Sequence, residues 1–244
     1  MKAAVYCGTR NLYNDMVTAA KSLICNSNVD RIYFLIEDDK FPEKLPPIIE
    51  TINVSNQQYF PHDGVNFNNQ WTFMVLMKLA LHDMFPNLDK VLVLDVDTVV
   101  VDDVSDLWDI DLNNCCIAGA REPLKSDGSR LYVNAGVMMM NLRLLRRTGK
   151  GNELIAVVNR KKFLFCEQDC IAERCQGLIK EIPGDYNACC VTESSDSPKI
   201  VHYAAVRNWQ KNKRAKWHNY LTKYRKMSWE DALDGNNTHR GSNV

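Results

Sequence analysis

Residues 91–101 read Val-Leu-Val-Leu-Asp-Val-Asp-Thr-Val-Val-Val, a strand that delivers two carboxylates, Asp95 and Asp97, where it ends. The β-branched and aliphatic run has the composition of a strand covered on both faces. Acids in such a strand belong at its carboxyl end, where open α/β sheets place their ligands. Carboxylates two residues apart in extended chain point to opposite sides, so a turn must begin there for both to reach one cation. Two oxygen donors with open positions suit Mg²⁺ or Mn²⁺, the partners of a diphosphate. The competing reading is a pair of solvated strand-end acids, because the pattern is only three residues long.

Those acids need a scaffold, and the chain is long enough to supply one. At 244 residues it can form one large α/β domain or two small ones. Hydrophobic content of 45% and charged content of 25% are ordinary for a globular protein. Thirty basic and thirty acidic residues cancel, so overall charge points to no nucleic-acid partner. The segment Lys2 to Gly8 reads as a strand rather than a signal peptide. No apolar run reaches the roughly 18 residues a membrane span needs. Nine cysteines, with Cys115-Cys116 and Cys189-Cys190 adjacent and no C-x-x-C pair, read as reduced thiols rather than disulfides or a zinc site. A cytoplasmic location is the expectation.

Strand and helix patterns alternate through the first hundred residues, which predicts a largely parallel, doubly wound sheet. Strands are expected at Ala3–Cys7 and Arg31–Ile36, and a helix from Tyr13 to Cys25. Lys44 to Asn53 reads as a short helix and a third strand. Asn68 to Met84 reads as one long helix stopped by Pro86. Further on, strands are expected at Cys115–Ala120, Val137–Asn141 and Ile200–Tyr203, with a polar loop from Leu124 to Arg130. Helices are expected over Leu142–Arg160 and Gln168–Cys175, and disorder from about Asp234.

Several short stretches occur in a fixed order along residues 3–210. They are Thr9-Arg10-Asn11-Leu12-Tyr13, Lys78-Leu79, Asp95-Val96-Asp97, Leu107-Trp108-Asp109, Asn134-Ala135-Gly136-Val137, Glu167-Gln168-Asp169, Tyr186-Asn187 and His202-Tyr203 through Trp209. In this order they resemble the family 8 glycosyltransferases, the group that includes glycogenin and bacterial lipopolysaccharide galactosyltransferases. Asp95-Val96-Asp97-Thr98-Val99 also resembles the first motif of haloacid-dehalogenase-like phosphatases, whose leading Asp attacks phosphate. Those enzymes carry it on their first strand, however, and here several β/α units precede it.

The resemblance implies a single GT-A (Rossmann-like) α/β domain over residues 1–209, with a mostly parallel central sheet. A short, basic and aromatic C-terminal helical extension, 210–244, would follow. It implies an α-retaining enzyme that moves a hexose from a UDP-sugar to an acceptor hydroxyl on a carbohydrate, lipid-linked or protein partner. Mn²⁺ is the implied cofactor, with Mg²⁺ as the alternative, held by Asp95, Asp97 and His202. Thr9, Arg10 and Tyr13 would bind the nucleoside, with the Tyr13 ring against uracil. The Val96 backbone would reach the ribose, and Lys78, Asn134 and Arg207 the sugar and phosphates. Asn134, Glu167, Gln168 and Asp169 would serve catalysis, Gln168 facing the anomeric carbon. The lone residues have blander readings: Lys78 as a solvated lysine, Tyr13 as a core aromatic, His202 as a structural histidine, and Asn134-Ala135-Gly136 as a strand-entry turn.

Departures from the family pattern cluster near the end. The expected Gly, Lys and Pro become Ala205, Arg207 and Asn208, and Glu167 replaces the more usual Asp. Arg is no neutral swap for Lys at a phosphate, and Ala removes backbone freedom. A non-catalytic sugar-nucleotide-binding relative and a self-glucosylating glycogenin-like protein are the alternatives this leaves. Residues 207–226 carry eight Lys or Arg among Trp209, Trp217, Tyr220 and Tyr224. That segment is either a peripheral membrane contact or the solvated face of a packed terminal helix.

Overall fold

The computed structural model describes residues 1–122, 125, 130–190, 195–213 and 217–241, with backbone alone from 236 onward. The chain opens with β1 (Ala3–Gly8), α1 (Tyr13–Asn26), β2 (Arg31–Ile36), β3 (Ile49–Asn53), α2 (Met77–Met84) and β4 (Lys90–Leu94). Next come β5 (Thr98–Val100), β6 (Ile117–Arg121), β7 (Val133–Asn141), α3 (Leu142–Arg147), α4 (Lys150–Arg160) and α5 (Cys166–Arg174). β8 (Ile179–Ile182), β9 (Ala188–Cys189), β10 (Ile200–His202), α6 (His218–Lys226) and α7 (Trp229–Gly241) complete it.

The main sheet has the order β3-β2-β1-β4-β7-β6-β8. Strands β1 to β4 pair in parallel, as do β6 and β8, while β7 runs against both of its neighbours. The mostly parallel sheet expected from the alternating pattern is therefore present. Val91 and Val93 of β4 pack with residues of α2, α4 and α5 on one face, and Leu92 and Leu94 with α1 on the other. Cover on both faces is why β4 reads as an unbroken aliphatic run. Truncating the fully buried Leu92 or Leu94 to Ala costs about 2–5 kcal/mol.

The run 91–101 is not one strand. It breaks at Asp95, whose N–H donates to the Gly136 carbonyl at 2.8 Å. The Thr98 hydroxyl and N–H both return to the Asp95 carbonyl, at 2.7 and 3.2 Å. This is the turn that the two acids require. The chain then leaves the main sheet and restarts as β5, in a small sheet of order β5-β10-β9.

Other boundaries differ from expectation for local reasons. The long helix over Asn68–Met84 shrinks to α2, preceded by a 3₁₀ turn at Phe73–Val75, because Thr72 sits at φ +65°. No helix precedes β3 among the described residues of 44–48. Gly149, at φ +69°, divides the expected helix over Leu142–Arg160 into α3 and α4. Asn134-Ala135-Gly136 lies inside β7 rather than in an entry turn. Most of the loop expected from Leu124 to Arg130 lies outside the described residues. The terminal stretch expected to be disordered is helical to Gly241.

Helices α6 and α7 dock on α1. Leu221 and Tyr224 of α6 and Ala232 of α7 are buried, and the Tyr224 hydroxyl accepts from Asn26 Nδ2 at 2.7 Å. Asp15, on α1, meets Arg225 at 3.4 Å and Gln210 Nε2 at 3.3 Å. The aromatic side of this segment thus faces the fold at Tyr224. Among the described residues no helix is long and apolar enough to cross a membrane.

Candidate active site

Strand pairing brings the third ligand to the two acids. β10 lies antiparallel to β5 with His202 opposite Thr98, and the Tyr203 N–H donates to the Asp97 carbonyl at 2.9 Å. Asp95, Asp97 and His202 then each offer one ligand atom within 4.8 Å of the others. His202 Nε2 is 3.2 Å from Asp97 Oδ1 and 3.9 Å from Asp95 Oδ2. The imidazole is 3% exposed, the carboxylates 31% and 23%, so the acids face the opening and the ring lies beneath them. Burial opposes a charge on His202, but Asp97 outweighs it and raises the imidazole pKa. Burial likewise pushes Asp97 up, and His202 pulls it below the usual carboxylate range.

Hydrogen bonds anchored on a backbone N–H fix which nitrogen faces the acids. Gly136 N–H donates to Asn134 Oδ1 at 2.9 Å, which sets the Asn134 amide. Asn187 Nδ2 donates to the same oxygen at 3.0 Å, which turns Asn187 Oδ1 toward His202 Nδ1 at 2.8 Å. An amide oxygen only accepts, so Nδ1 carries a proton and Nε2 is the nitrogen left to a cation. A ring so tied is what a metal-ligating histidine needs. Gly136 is the seat of that ring: a Cβ there would stand 2.1 Å from His202 Cε1. The cluster, two carboxylates and one oriented imidazole, fits a divalent cation.

Lys78 is no solvated lysine. Its side chain is 2% exposed, with the ammonium 2.6 Å from Asp95 Oδ1, 3.0 Å from Glu167 Oε1 and 3.1 Å from the Ala135 carbonyl. Burial opposes its charge, but the two carboxylates prevail and raise its pKa. Burial raises the Glu167 pKa against the pull of Lys78. Lys78 thereby ties the turn after β4 to α5 from below.

A cleft of about 610 Å³ opens above this cluster. Thr9, Asp95, Val96, Asp97, Asn134, Glu167, Gln168 and His202 line it. Arg10, Tyr13, Lys78, Asp169 and Arg207 are not among its lining residues. Arg10 pairs with Asp38 at 2.5 Å. Tyr13 is 5% exposed and stacks on Phe41 with centroids 4.7 Å apart, so the structure places that ring in the core. Asp169 accepts from the Phe165 N–H at 2.7 Å and the Tyr132 hydroxyl at 2.5 Å. Gln168 Oε1 accepts from the Ala135 N–H at 2.8 Å, and its Nε2 donates to the Tyr132 hydroxyl at 3.2 Å. Asn134 donates to Glu122 at 3.0 Å as well as accepting twice. Arg207 is exposed.

Sequence reasoning passes over several of these positions. Asn187 is legible only as part of an ordered motif, and Gly136 only as a turn residue. Trp209 is legible only as the end of an ordered motif, and Tyr132, Thr72 and Phe165 carry no signal. Cys7 lines the cleft, but burial pushes its thiol up to about 12, which removes it as a thiolate nucleophile. Left-handed backbone gathers here: Thr72, Cys166 and Ala205 have φ of +65°, +42° and +61°. Non-glycine residues in such regions cost about 1–3 kcal/mol each and persist where surrounding structure holds them, commonly at ligand sites.

Comparison with known proteins follows the same outline. The model of the glycosyl transferase family 8 matches residues 4–213. A probable glycosyl transferase, Gly, of Streptococcus gordonii is 22% identical over 96% of this chain, and glycosyltransferase GlyA of Streptococcus pneumoniae 25% over 98%. The chain spans only 36% of the length of each. The lipopolysaccharide 1,2-glucosyltransferase of Escherichia coli is 22% identical over 88% of this chain and 73% of its own length. Among solved structures, the galactosyltransferase LgtC, crystallised with donor and acceptor sugar analogues, superposes with a TM-score of 0.74 at 19% identity. That superposition covers 96% of this chain and 99% of LgtC. The fold is shared, and it is the GT-A arrangement.

Proposed function

The chain belongs to glycosyl transferase family 8, and from that premise we propose that it is a metal-dependent hexosyltransferase that takes a UDP-sugar and retains anomeric configuration. The observation that carries this reading is the Asp95, Asp97 and His202 cluster in the cleft beyond the carboxyl end of β4. A mixed oxygen and imidazole set suits Mn²⁺ better than Mg²⁺. When bound, that cation would supply Lewis-acid neutralisation of the departing diphosphate.

The chain's own residues supply the rest. Asn187 and Gly136 hold the His202 ring, and Lys78 holds Asp95 against Glu167. Thr9 and the Val96 backbone line the cleft where the nucleoside would lie, and Asn134 and Gln168 where the sugar would lie. Gln168 is pinned through both of its amide atoms, and an amide is a poor nucleophile. Front-face displacement follows: UDP leaves first in part, its phosphate oxygen helps deprotonate the acceptor on the same face, and Gln168 steadies the developing positive charge. Arg207, on the rim, would reach the phosphates. Lys78, buried and fully engaged, acts on the donor through Asp95 and Glu167. The nine cysteines, none in a disulfide among the described residues, fit a reducing, cytoplasmic compartment.

A panel of UDP-sugars, each with Mn²⁺ or chelator, tests this by UDP release and by NMR of the product. Metal-dependent release from one donor with an α-linked product is the expected result. An inverted product sinks the front-face scheme. No release from any UDP-sugar moves the reading to a non-catalytic relative.

A further inference from the structure

The C-terminal helix α6 reaches the donor cleft from behind. Val99 of β5 and Val201 of β10 pack with Leu221 and Tyr224 of α6 in a small core of their own. Side chains alternate across a strand, so His202, next to Val201, turns to the opposite face, where Asp95 and Asp97 lie. Helix α6 is therefore the backing of the small sheet that carries one member of the cluster.

One side chain of α6 also holds the rim. Arg225 Nη1 donates to the Gln210 carbonyl at 2.9 Å, and its Nη2 lies 3.4 Å from Asp15 Oδ1. Gln210 Nε2 donates to the other Asp15 oxygen at 3.3 Å. Helix α1, the rim and α6 thus meet at one buried carboxylate. Burial pushes the Asp15 carboxyl up, and Gln210 and Arg225 pull against that push. Gln210 follows directly on Trp209, which lines the cleft with Ala204 and Ala205. The segment between β10 and α6 has no regular ladder to fix it among the described residues, and it carries Ala205 and Asn208 at φ +61° and +50°. Its position depends on side-chain ties: Trp209 stacked on Tyr203, and Gln210 held by Asp15 and Arg225.

We propose that Arg225 is a positioning residue for donor binding: by holding Gln210 against Asp15 it sets Trp209 and the Ala204-Ala205 wall over the nucleoside diphosphate. The inference rests on the donor cleft being the transferase site. Arg225 is not among the residues lining the cleft, so it acts through Gln210. The arginine side chain is 38% exposed, and an ion pair so placed is partly screened, which keeps the expected effect modest.

Isothermal titration of UDP in the presence of Mn²⁺, together with hydrogen exchange over residues 203–213, tests it. R225A is expected to weaken UDP binding about threefold to fivefold. Exchange over 203–213 should quicken while β1 and β4 keep wild-type protection. Leu221 and Tyr224 still dock α6 in this variant, and D15N, an isosteric change, gives the same reading should R225A not fold. A merely structural Arg225 would lower the melting temperature and leave the UDP affinity of the folded protein unchanged. Both residues act at one contact, so the loss in D15N/R225A should not exceed that in R225A alone. Unchanged UDP affinity in R225A, weaker binding with unchanged exchange over 203–213, or losses that multiply in the double variant overturn the proposal. Wild-type protein that fails to bind UDP with Mn²⁺ would fail the transferase reading and the positioning role with it, whereas equal UDP binding by wild type and R225A would fail the positioning role alone.

Discussion

The floor and the rim of the donor cleft are built on opposite principles. On the floor every described charged group has a partner: Lys78 bridges Asp95 and Glu167, and Asn134, Asn187 and His202 form one chain of hydrogen bonds. These side chains come from α2, the turn after β4, β7, α5, the 3₁₀ turn before β9 and β10, so two helices and both sheets fix their backbones. The rim near Ala204, Ala205 and Trp209 is held differently. It sits after the small sheet, carries left-handed Ala205 and Asn208, and is steadied by Trp209 stacked on Tyr203 and Gln210 bonded to Asp15. The floor fixes where charge is neutralised. The rim holds three of the departures from the family pattern, Ala205, Arg207 and Asn208, while the fourth, Glu167, lies on the floor.

The contrast breaks most readily at Lys78. Lys78→Met leaves two carboxylates facing each other without a cation, and removing one partner of a buried pair costs about 3–5 kcal/mol. A large fall in melting temperature together with lost UDP release is expected by circular dichroism and enzyme assay. A variant with unchanged melting temperature and a raised donor KM would show instead that Lys78 serves the donor directly.

Gly136→Ala tests the seat of the histidine. The added methyl would stand 2.1 Å from His202 Cε1, so the ring must move and stabilisation by Mn²⁺ should vanish in a thermal-shift titration. Full metal-dependent stabilisation would show that the ring is not a ligand. Asn187→Ala should be milder, with metal affinity about 10–100-fold weaker as the ring loses its orientation. Affinity equal to wild type would remove Asn187 from the chain of bonds that fixes Nε2.

The rim should respond weakly and in the opposite sense. Ala205→Gly relieves a left-handed alanine, a gain of about 1 kcal/mol, which is about 2–4 °C in melting temperature for a domain of this size. A loss of stability would mean that the φ of +61° is not strained in its setting. Arg207→Ala, at an exposed position, should leave melting temperature unchanged and weaken donor binding by about tenfold or less. A larger loss would place Arg207 on the phosphates as firmly as the floor residues hold the cation.

Much of the floor is legible because its residues stand in patterns with physical reasons. A strand buried on both faces shows as an aliphatic run, and acids at the end of such a strand face either a ligand or solvent. Asp95, Asp97 and the parallel sheet can be read in that way, and His202, Glu167 and Gln168 through the ordered motifs. The bland reading of Lys78 fails, because a buried lysine on a Met- and Leu-rich helix looks like a solvated one until its partners are known. The apolar spacing over Asn68–Met84 continues through Thr72, so the pattern overstates the helix, and only the backbone reveals the break. Asn187 carries no readable role, since its work is done entirely through contacts with distant residues.

The sequence by itself determined the alternation of strand and helix, the two-faced burial of β4 and the need for a turn at Asp95, because periodicity and local sterics act over a few residues. The tertiary structure alone decided that β10 returns antiparallel to β5, that Gly136 leaves room for an imidazole, and that one ammonium serves two carboxylates. Those outcomes depend on register between segments far apart in the chain, and no local pattern encodes which donor atoms will meet across a sheet.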